Sequence, residues 1–371
     1  MTITENPLLG RVKIDVQTPQ PGRFVLGQSL INSSTERLAS PANATTVTNI
    51  IGSAVQSITI TRNVGDAGTL NFTLLDADTA GLSPGSWVQV AGMTTSGWGP
   101  IFQGTIRGYT QNIEDGHTYT TVAATNCYTE LANQTRYGAS SGTDTPDTWG
   151  ERIDRILGSA PDLSTNLLTT GGTTYPAADS VHETSIANWL DIMCASSPTA
   201  GWFVSRANVV TVRANKPTGV SWYADPTGVW NPSTLLYTNI THAFDTADVV
   251  NEVEVTNHRR ELNDQNEWQA LDETTTYEDV TSRATWGAGT ASADVCIADP
   301  ADVDLLGPTL LTEPLNAPTS IRVNAQSNIT AVTRAELLDR IAFGNDQRRI
   351  TGITHEITPT RWMVDYELGA I

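Results

Sequence analysis

SITITRNVGDAGTLNFTLLDADTAGLSPGSWVQV, residues 57–90, is the stretch that decides the fold. Ile58 and Ile60 alternate with Thr59 and Thr61, and Leu70, Phe72 and Leu74 alternate with Asn71 and Thr73. A period of two sends successive side chains to opposite faces, so each run predicts a strand with one buried face. The intervening NVGDAG supplies turn residues and makes the pair a hairpin. Trp87–Val90, Ile101–Ile113 and His117–Ala124 continue the alternation, with SPGS and EDGH at the turns. Five tightly connected strands predict a small barrel or sandwich. Asn126 then stands where it would cap a helix over CYTELANQTR, packed across the open end of that barrel.

Upstream, Arg11–Val16 and Phe24–Gly27 are short strand-like runs, and INSSTERLASPANATTVTN has little to bury, which predicts an extended arm. Downstream, GASSGTDTPDT (138–148) marks a domain boundary. Past it, Trp149, Ile153, Ile156 and Leu157 share a helical face, and Ile186, Trp189, Leu190 and Met193 form the inward face of a second helix over Thr184–Ala195. GWFVSRANVVTVRA follows as a hairpin turning at Ala207–Asn208. Alternation returns at Val249–Thr256, which can pair with Trp268–Thr275, and continues in Ala291–Ile297, Ser320–Ala325, Arg349–Ile357 and Arg361–Leu368. Pro300–Leu311 reads as a helix that Pro308 would break, and 331–343 fits helix and strand equally. The expected class is mainly β with a small α+β module. The divisions are an N-terminal strand and arm (1–50), a first β-barrel (51–137), an α+β middle module (138–240) and a second β-barrel with insertions (241–371).

The 371 residues carry 40 acidic against 21 basic side chains, a formal charge of −19, and the only lysines are Lys13 and Lys216. Such a field repels nucleic acid, so gripping DNA through its phosphates is excluded as a role, whereas a surface for DNA to pass is compatible. Cys127, Cys194 and Cys296 lie far apart, with no zinc-knuckle or disulfide spacing, and are expected reduced. MTITENPLLG lacks a basic segment followed by an apolar run, so no secretion signal is expected, and no apolar stretch predicts a membrane span or stable membrane binding.

A search for chemistry assigns no catalytic, cofactor or metal residues. His182–Glu183 and His355–Glu356 begin like a zinc-protease signature, but HETSI and HEITP lack the second histidine. Asp76, Asp78 and Gly81, and likewise Asp299, Asp302 and Asp304, lack the closing bidentate Glu of a calcium loop and read as turn and cap residues. SPGS and TGGTTYP lack the lysine of a phosphate loop, and no GxSxG elbow occurs. Trp87, Trp98, Trp222, Trp230, Trp268 and Trp286 lie near predicted loops, where core and interface packing competes with sugar stacking.

The order of SITITRNVGDAGTLNFTLLDADTAGLSPGSWVQV, IFQGTIRGYTQNI, TYTTVAATNCYTELAN, GWFVSRANVVTV, VVNEVEVT, YEDVTSRATWG and ITGITHEITPTRWMVDYELG resembles the minor tail or tail tip hub proteins of long-tailed phages of actinobacterial hosts. The resemblance spans about three quarters of the chain and rests on order and spacing rather than on one motif. It implies a homotrimer in which each subunit supplies two tail-tube-like β-barrels, flanking or packed with an inserted α+β domain. Such a ring closes a hexameric tail tube and adapts it to threefold structures below. The implied partners are distal tail and tail tube proteins, the tape measure protein and other tip or receptor-binding proteins, with DNA only in passage. The implied location is the virion tail tip, after assembly in the host cytoplasm. The chain ends after its last strand, without the lysozyme-like or fibre extension of larger relatives, so no cell-wall-cutting role is expected. If three chains surround a channel, its wall should be acidic or neutral, and arginines should sit at subunit contacts, where they pair with carboxylates. The candidates are Arg136, Arg259, Arg260, Arg348 and Arg349. The alternative is a receptor- or carbohydrate-binding tail protein.

Overall fold

The structure, a computed structural model, describes residues 12–18, 46–49, 55–77, 79, 82–94, 97–137, 147–158, 163, 165–168, 175–226, 233–244, 249–312, 316–326 and 328–370. Phe24–Gly27, the polar arm up to residue 45, Asp78, Gly81 and Trp230 lie outside these residues.

The alternating segments form β1 (Val12–Thr18), β2 (Thr46–Asn49), β3 (Val55–Asn63), β4 (Thr69–Leu75), β5 (Trp87–Thr94), β6 (Gly97–Glu114) and β7 (His117–Thr125). Ile58, Ile60, Leu70, Phe72 and Leu74 are buried on one face, as their period requires. Gly65, with φ +71°, turns the β3–β4 hairpin in a conformation that L side chains rarely adopt. The strands line up as β3-β4-β7-β6-β5-β1-β2.

The next elements are α1 (Tyr128–Ala132), β8 (Thr135–Tyr137), α2 (Trp149–Gly158), β9 (Thr165–Leu168), β10 (Glu183–Ser185), α3 (Ile186–Ala195), β11 (Gly201–Val204) and β12 (Val210–Arg213). The expected faces of α2 and α3 are buried together, and Ser185 caps α3 by accepting from Asn188 N at 3.1 Å. Asn208 turns the β11–β12 hairpin with φ 57°. The helix expected after Asn126 is shorter than its pattern. Leu131 is its only buried residue, and nothing apolar follows to extend the stripe, so the chain leaves the helix and pairs as β8 with β10. Asn126 ties Gly68 N at 3.1 Å and Tyr128 N at 3.2 Å, and the residue at the cap is Cys127. Leu131 packs with α3 rather than across the barrel end.

The remainder forms β13 (Trp222–Asp225), β14 (Thr234–Phe244), β15 (Glu252–Leu262), β16 (Trp268–Glu278), α4 (Val280–Trp286), β17 (Thr290–Val295), α5 (Pro300–Leu306), β18 (Asn316–Asn324), α6 (Ile329–Arg334), β19 (Arg340–Phe343), β20 (Asp346–Thr358) and β21 (Arg361–Gly369). The ambiguous stretch thus resolves into the end of a helix and then a strand. The segment edge drawn at 240 falls inside β14, α1 shares the core of the middle module through Leu131, and β8 pairs with β10 of that module.

Six strands close into a barrel in the order β14-β18-β21-β20-β19-β13, with β13 parallel to β14 completing the circuit. Numbered along the chain, the six strands β1 and β3–β7 of the first unit and the six of the second both run 2-3-6-5-4-1 across the sheet. The sense differs only at the first strand, since β1 is antiparallel to β5 whereas β13 is parallel to β19. The tight β3–β4 turn corresponds in the second unit to residues 245–315, which carry a separate sheet, β16-β15-β17. The protein is therefore mainly β, with two six-stranded units of one strand order, the second of them a closed barrel, and an α+β module between them.

The two units are fused rather than tethered. β20 pairs with β19 through Asp346–Arg349 and with β3 through Gly352–Ile357, on the same edge. One apolar cluster runs through both, from Ile14, Ile60 and Phe102 to Ile353, Val364 and Tyr366. Helix α6 sends Val332 into this core, where Gly92 leaves space for Thr333 and Trp362.

Candidate functional site

A polar network joins the middle module to the three-stranded sheet. Arg152 lies on the apolar stripe of α2 and is fully buried. Its Nε donates to Asp147 at 3.0 Å, its Nη1 to the Ala178 carbonyl, and its Nη2 to Asp179 at 2.7 Å. Asp179 also accepts from Arg260 of β15 at 2.5 Å, and Arg155 reaches Asp147 at 3.1 Å. This alternation of charges neutralises groups that would be costly to bury alone. Beside it, His258 stands between Asp272 and Asp294, with each ring nitrogen 2.9 Å from a carboxylate oxygen. His182 stacks on His258 at 4.2 Å, and its pKa is lowered by burial and by His258. A second buried pair, Arg62 with Glu336, joins β3 to the loop after α6, and Arg206 donates to Thr333 O and, through its backbone, to Glu336.

Two exposed features among the described residues are the outer parts of strand hairpins. β16 pairs with β15 on one side only, and nine of its eleven residues are exposed. At the tip of this hairpin Leu262 pairs with Trp268, 49% and 51% exposed, among Glu261, Asp264 and Glu267. The other projecting hairpin is the end of β6–β7, where Tyr109 and Ile113 are exposed beside Glu114 and Asp115. An edge strand presents unpaired backbone donors and acceptors, a template for another chain.

Four of the five candidate arginines form charged or backbone contacts within the fold. Arg259 pairs with Glu273. Arg260 pairs with Asp179 and lies 3.9 Å above the Trp268 ring. Arg349 is buried and donates to Leu338 O at 3.1 Å and Pro217 O at 3.4 Å. Arg136 donates to Gln134 and Thr135 on β8, and Arg348 is half-buried on β20 opposite Ile341. The candidates fall into two adjacent pairs, Arg259 and Arg260 on β15 and Arg348 and Arg349 on β20, with Arg136 apart from both on β8. The Arg152 network was legible only as a charged residue on an apolar helical face. Its partners come from distant loops.

The chemistry-bearing pairs take structural places. His355 is buried in the barrel, accepting from Trp362 Nε1 at 3.3 Å, and Glu356 pairs with Arg322. Asp299 caps α5 through Ala301 N at 3.0 Å, and Asp304 accepts from the Tyr277 hydroxyl at 2.8 Å. Asp76 receives Thr118 N at 2.7 Å and His117 at 2.6 Å, which lower its pKa. Among the described residues no group of three or more His, Cys, Asp and Glu is arranged to hold a metal ion. The three cysteines are unpaired, and burial lifts the Cys127 and Cys296 thiols to about 12. No helix among the described residues is long and apolar enough to cross a membrane.

The fold is that of phage tail proteins. The chain is similar to the 43 kDa tail protein of prophage MuSo2 from Shewanella oneidensis, with a TM-score of 0.58 and 9% identity over 87% of this chain and 96% of that one. The tail protein from Neisseria meningitidis MC58 gives a TM-score of 0.57 and 12% identity over 96% of each chain. Prophage tail protein gp18 from Listeria monocytogenes EGD-e gives 0.51 and 8% over 96% and 94%. No family model and no curated protein matches the sequence.

Proposed function

We propose that the chain is a structural hub subunit of a phage tail tip, acting by assembly rather than by catalysis. The observation that carries this reading is the repeated 2-3-6-5-4-1 strand order in two fused barrels. Two like units per chain are what a threefold ring needs to meet a sixfold tube, since three chains then present six similar faces. In this reading the partners are two further copies, the tail tube and distal tail proteins, the tape measure protein and other tip proteins. The virion tail tip is the location. DNA passes along an acidic or neutral channel wall, for which a charge of −19 is well suited. The exposed β16 edge and the β6–β7 hairpin are the natural contacts with neighbours, with Arg136, Arg259, Arg260, Arg348 and Arg349 near subunit boundaries.

The test is imaging of the assembled tail. Three copies in a ring with pseudo-sixfold barrels are expected, lined by acidic and neutral side chains. Six copies in a plain sixfold ring, or a channel ringed by arginines, would count against the hub and conduit respectively. The purified chain is expected neither to clear host cell walls nor to bind zinc stoichiometrically. Clearing that one carboxylate substitution abolishes would replace the structural reading by an enzymatic one. The receptor- or sugar-binding alternative gains little from the exposed tryptophans, because Arg260 covers a face of Trp268 and Lys13 lies 5.4 Å from the Trp98 ring centre.

A further inference from the structure

A cleft of about 470 Å³ opens where all parts of the molecule meet. Val64 enters from the β3–β4 turn, Trp202 and Lys216 from the middle module, Leu310 from the segment after α5, and Leu338 and Arg349 from the second barrel. Its walls are largely apolar, with two cations set into them.

Both cations are held in place. A methyl group on Gly201 would stand 3.1 Å from Lys216 Cε and 2.9 Å from Leu338 Cδ1, so the bare glycine is what lets the lysine stem and Leu338 lie across it. Leu338 has φ 67°, a costly conformation for a branched side chain, and it is pinned there by its N–H to Ile350 O at 2.9 Å and by Arg349 on its carbonyl. The hydrogen bonds of Arg349 leave from Nη1 alone, to Leu338 O and Pro217 O. Among the described residues neither Lys216 nor Arg349 is in an ion pair, in a chain with 40 carboxylate side chains to draw on. The carboxylate that lines the cleft, Asp191, accepts from Trp202 Nε1 at 2.7 Å.

Unpaired cations against apolar walls are a binding arrangement, since the walls raise the strength of any charge-assisted bond made there. We propose that the cleft binds an acidic side chain from an extended segment of a partner protein. Lys216 and Arg349 serve as its counter-ions, and Val64, Leu310 and Leu338 receive a neighbouring apolar side chain. Burial and the nearby Arg349 lower the pKa of Lys216, and burial with Arg340 and Arg213 lowers that of Arg349. A carboxylate relieves that repulsion. The site stands whether or not the tail tip reading does, because its ligand is read on the isolated chain.

The chain has only two lysines, so reductive dimethylation with ¹³C-formaldehyde, which keeps the charge, yields separate methyl signals for Lys13 and Lys216. N-acetyl-Leu-Glu-Leu-amide is expected to move the Lys216 signal saturably and to raise its pKa, while Lys13, paired with Asp15 at 2.7 Å, stays in place. N-acetyl-Leu-Gln-Leu-amide should leave both unmoved. Arg349→Gln should weaken the acidic peptide by about tenfold or more, the cost of one charge-assisted bond. Because Arg349 also holds Leu338, the unmethylated Lys216→Met variant is titrated calorimetrically as a second measure and should lose binding while keeping the wild-type melting temperature. No movement with the Glu peptide, or equal movement with the Gln peptide, overturns the proposal. Movement with inorganic phosphate and not with the peptide also overturns it, reassigning the cleft to phosphate.

Discussion

His355 shows how one side chain ties stability to pH. It is fully enclosed by the second barrel, accepts Trp362 Nε1–H on Nδ1, and faces the positive field of Arg62 and Arg206. Burial first, and then those arginines, push its pKa down to about 3. In the unfolded chain the ring titrates near ~6.5. Between these values the unfolded state binds a proton that the native state refuses, so stability is lost as pH falls through that window, by about 1.4 kcal/mol per pH unit. Urea unfolding at pH 7, 5.5 and 4.5 should show a steeper loss for the wild type than for His355→Gln, and equal slopes would remove His355 as the source. Arg152 is the other residue on which much rests. Arg152→Met removes the buried guanidinium that Asp147 and Asp179 share, leaving them only Arg155 and Arg260. It should cost ~3–5 kcal/mol in chemical denaturation. Lysine should not rescue it, because one ammonium cannot reproduce three directed donors. None of this was readable from sequence. Arg152 and His355 sit in apolar contexts there, but their partners are assembled from segments far along the chain.

At the scale of elements, the strands were the most legible part, because a period of two survives wherever one face is buried, as in β3, β4, β20 and β21. Helix α1 was overestimated, since capping residues advertise a start but only a continuing apolar stripe sustains the length. In the β15–β16 hairpin, β16 is largely open to solvent. Trp268→Ala, half exposed and covered on one face by Arg260, should cost only ~0.5–1 kcal/mol of stability. The same variant should nevertheless lower incorporation into assembled tails if β16 is a contact strand. Unchanged incorporation would move the contact elsewhere. Gly289 marks the opposite case. A methyl group there would lie 1.9 Å from the Val249 carbonyl oxygen, so Gly289→Ala should break the closing contact of the inserted sheet and expose its edge to proteolysis.

For the whole molecule, the shared core and the β3–β20 pairing make the two barrels one cooperative unit. A fragment of residues 1–137 retains β1, its turns and its alternation but would expose the part of its core that packs on α6 and Trp362. Its amide spectrum should be poorly dispersed, and a well-dispersed spectrum would show that the first barrel stands alone.

By itself the sequence determined the β class, the buried faces of the cleanly alternating strands such as β3, β4 and β21, the helical faces of the middle module and the acidity of the chain. These follow from local periodicity and charge, which need no knowledge of the partner. Only the tertiary structure decided that the two units share one strand order, that the second closes by a parallel β13–β14 pair, and that Lys216 and Arg349 meet in one cleft. Strand neighbours across an insertion of some seventy residues (245–315) are chosen by packing and backbone hydrogen bonding in three dimensions, and no local pattern records that choice.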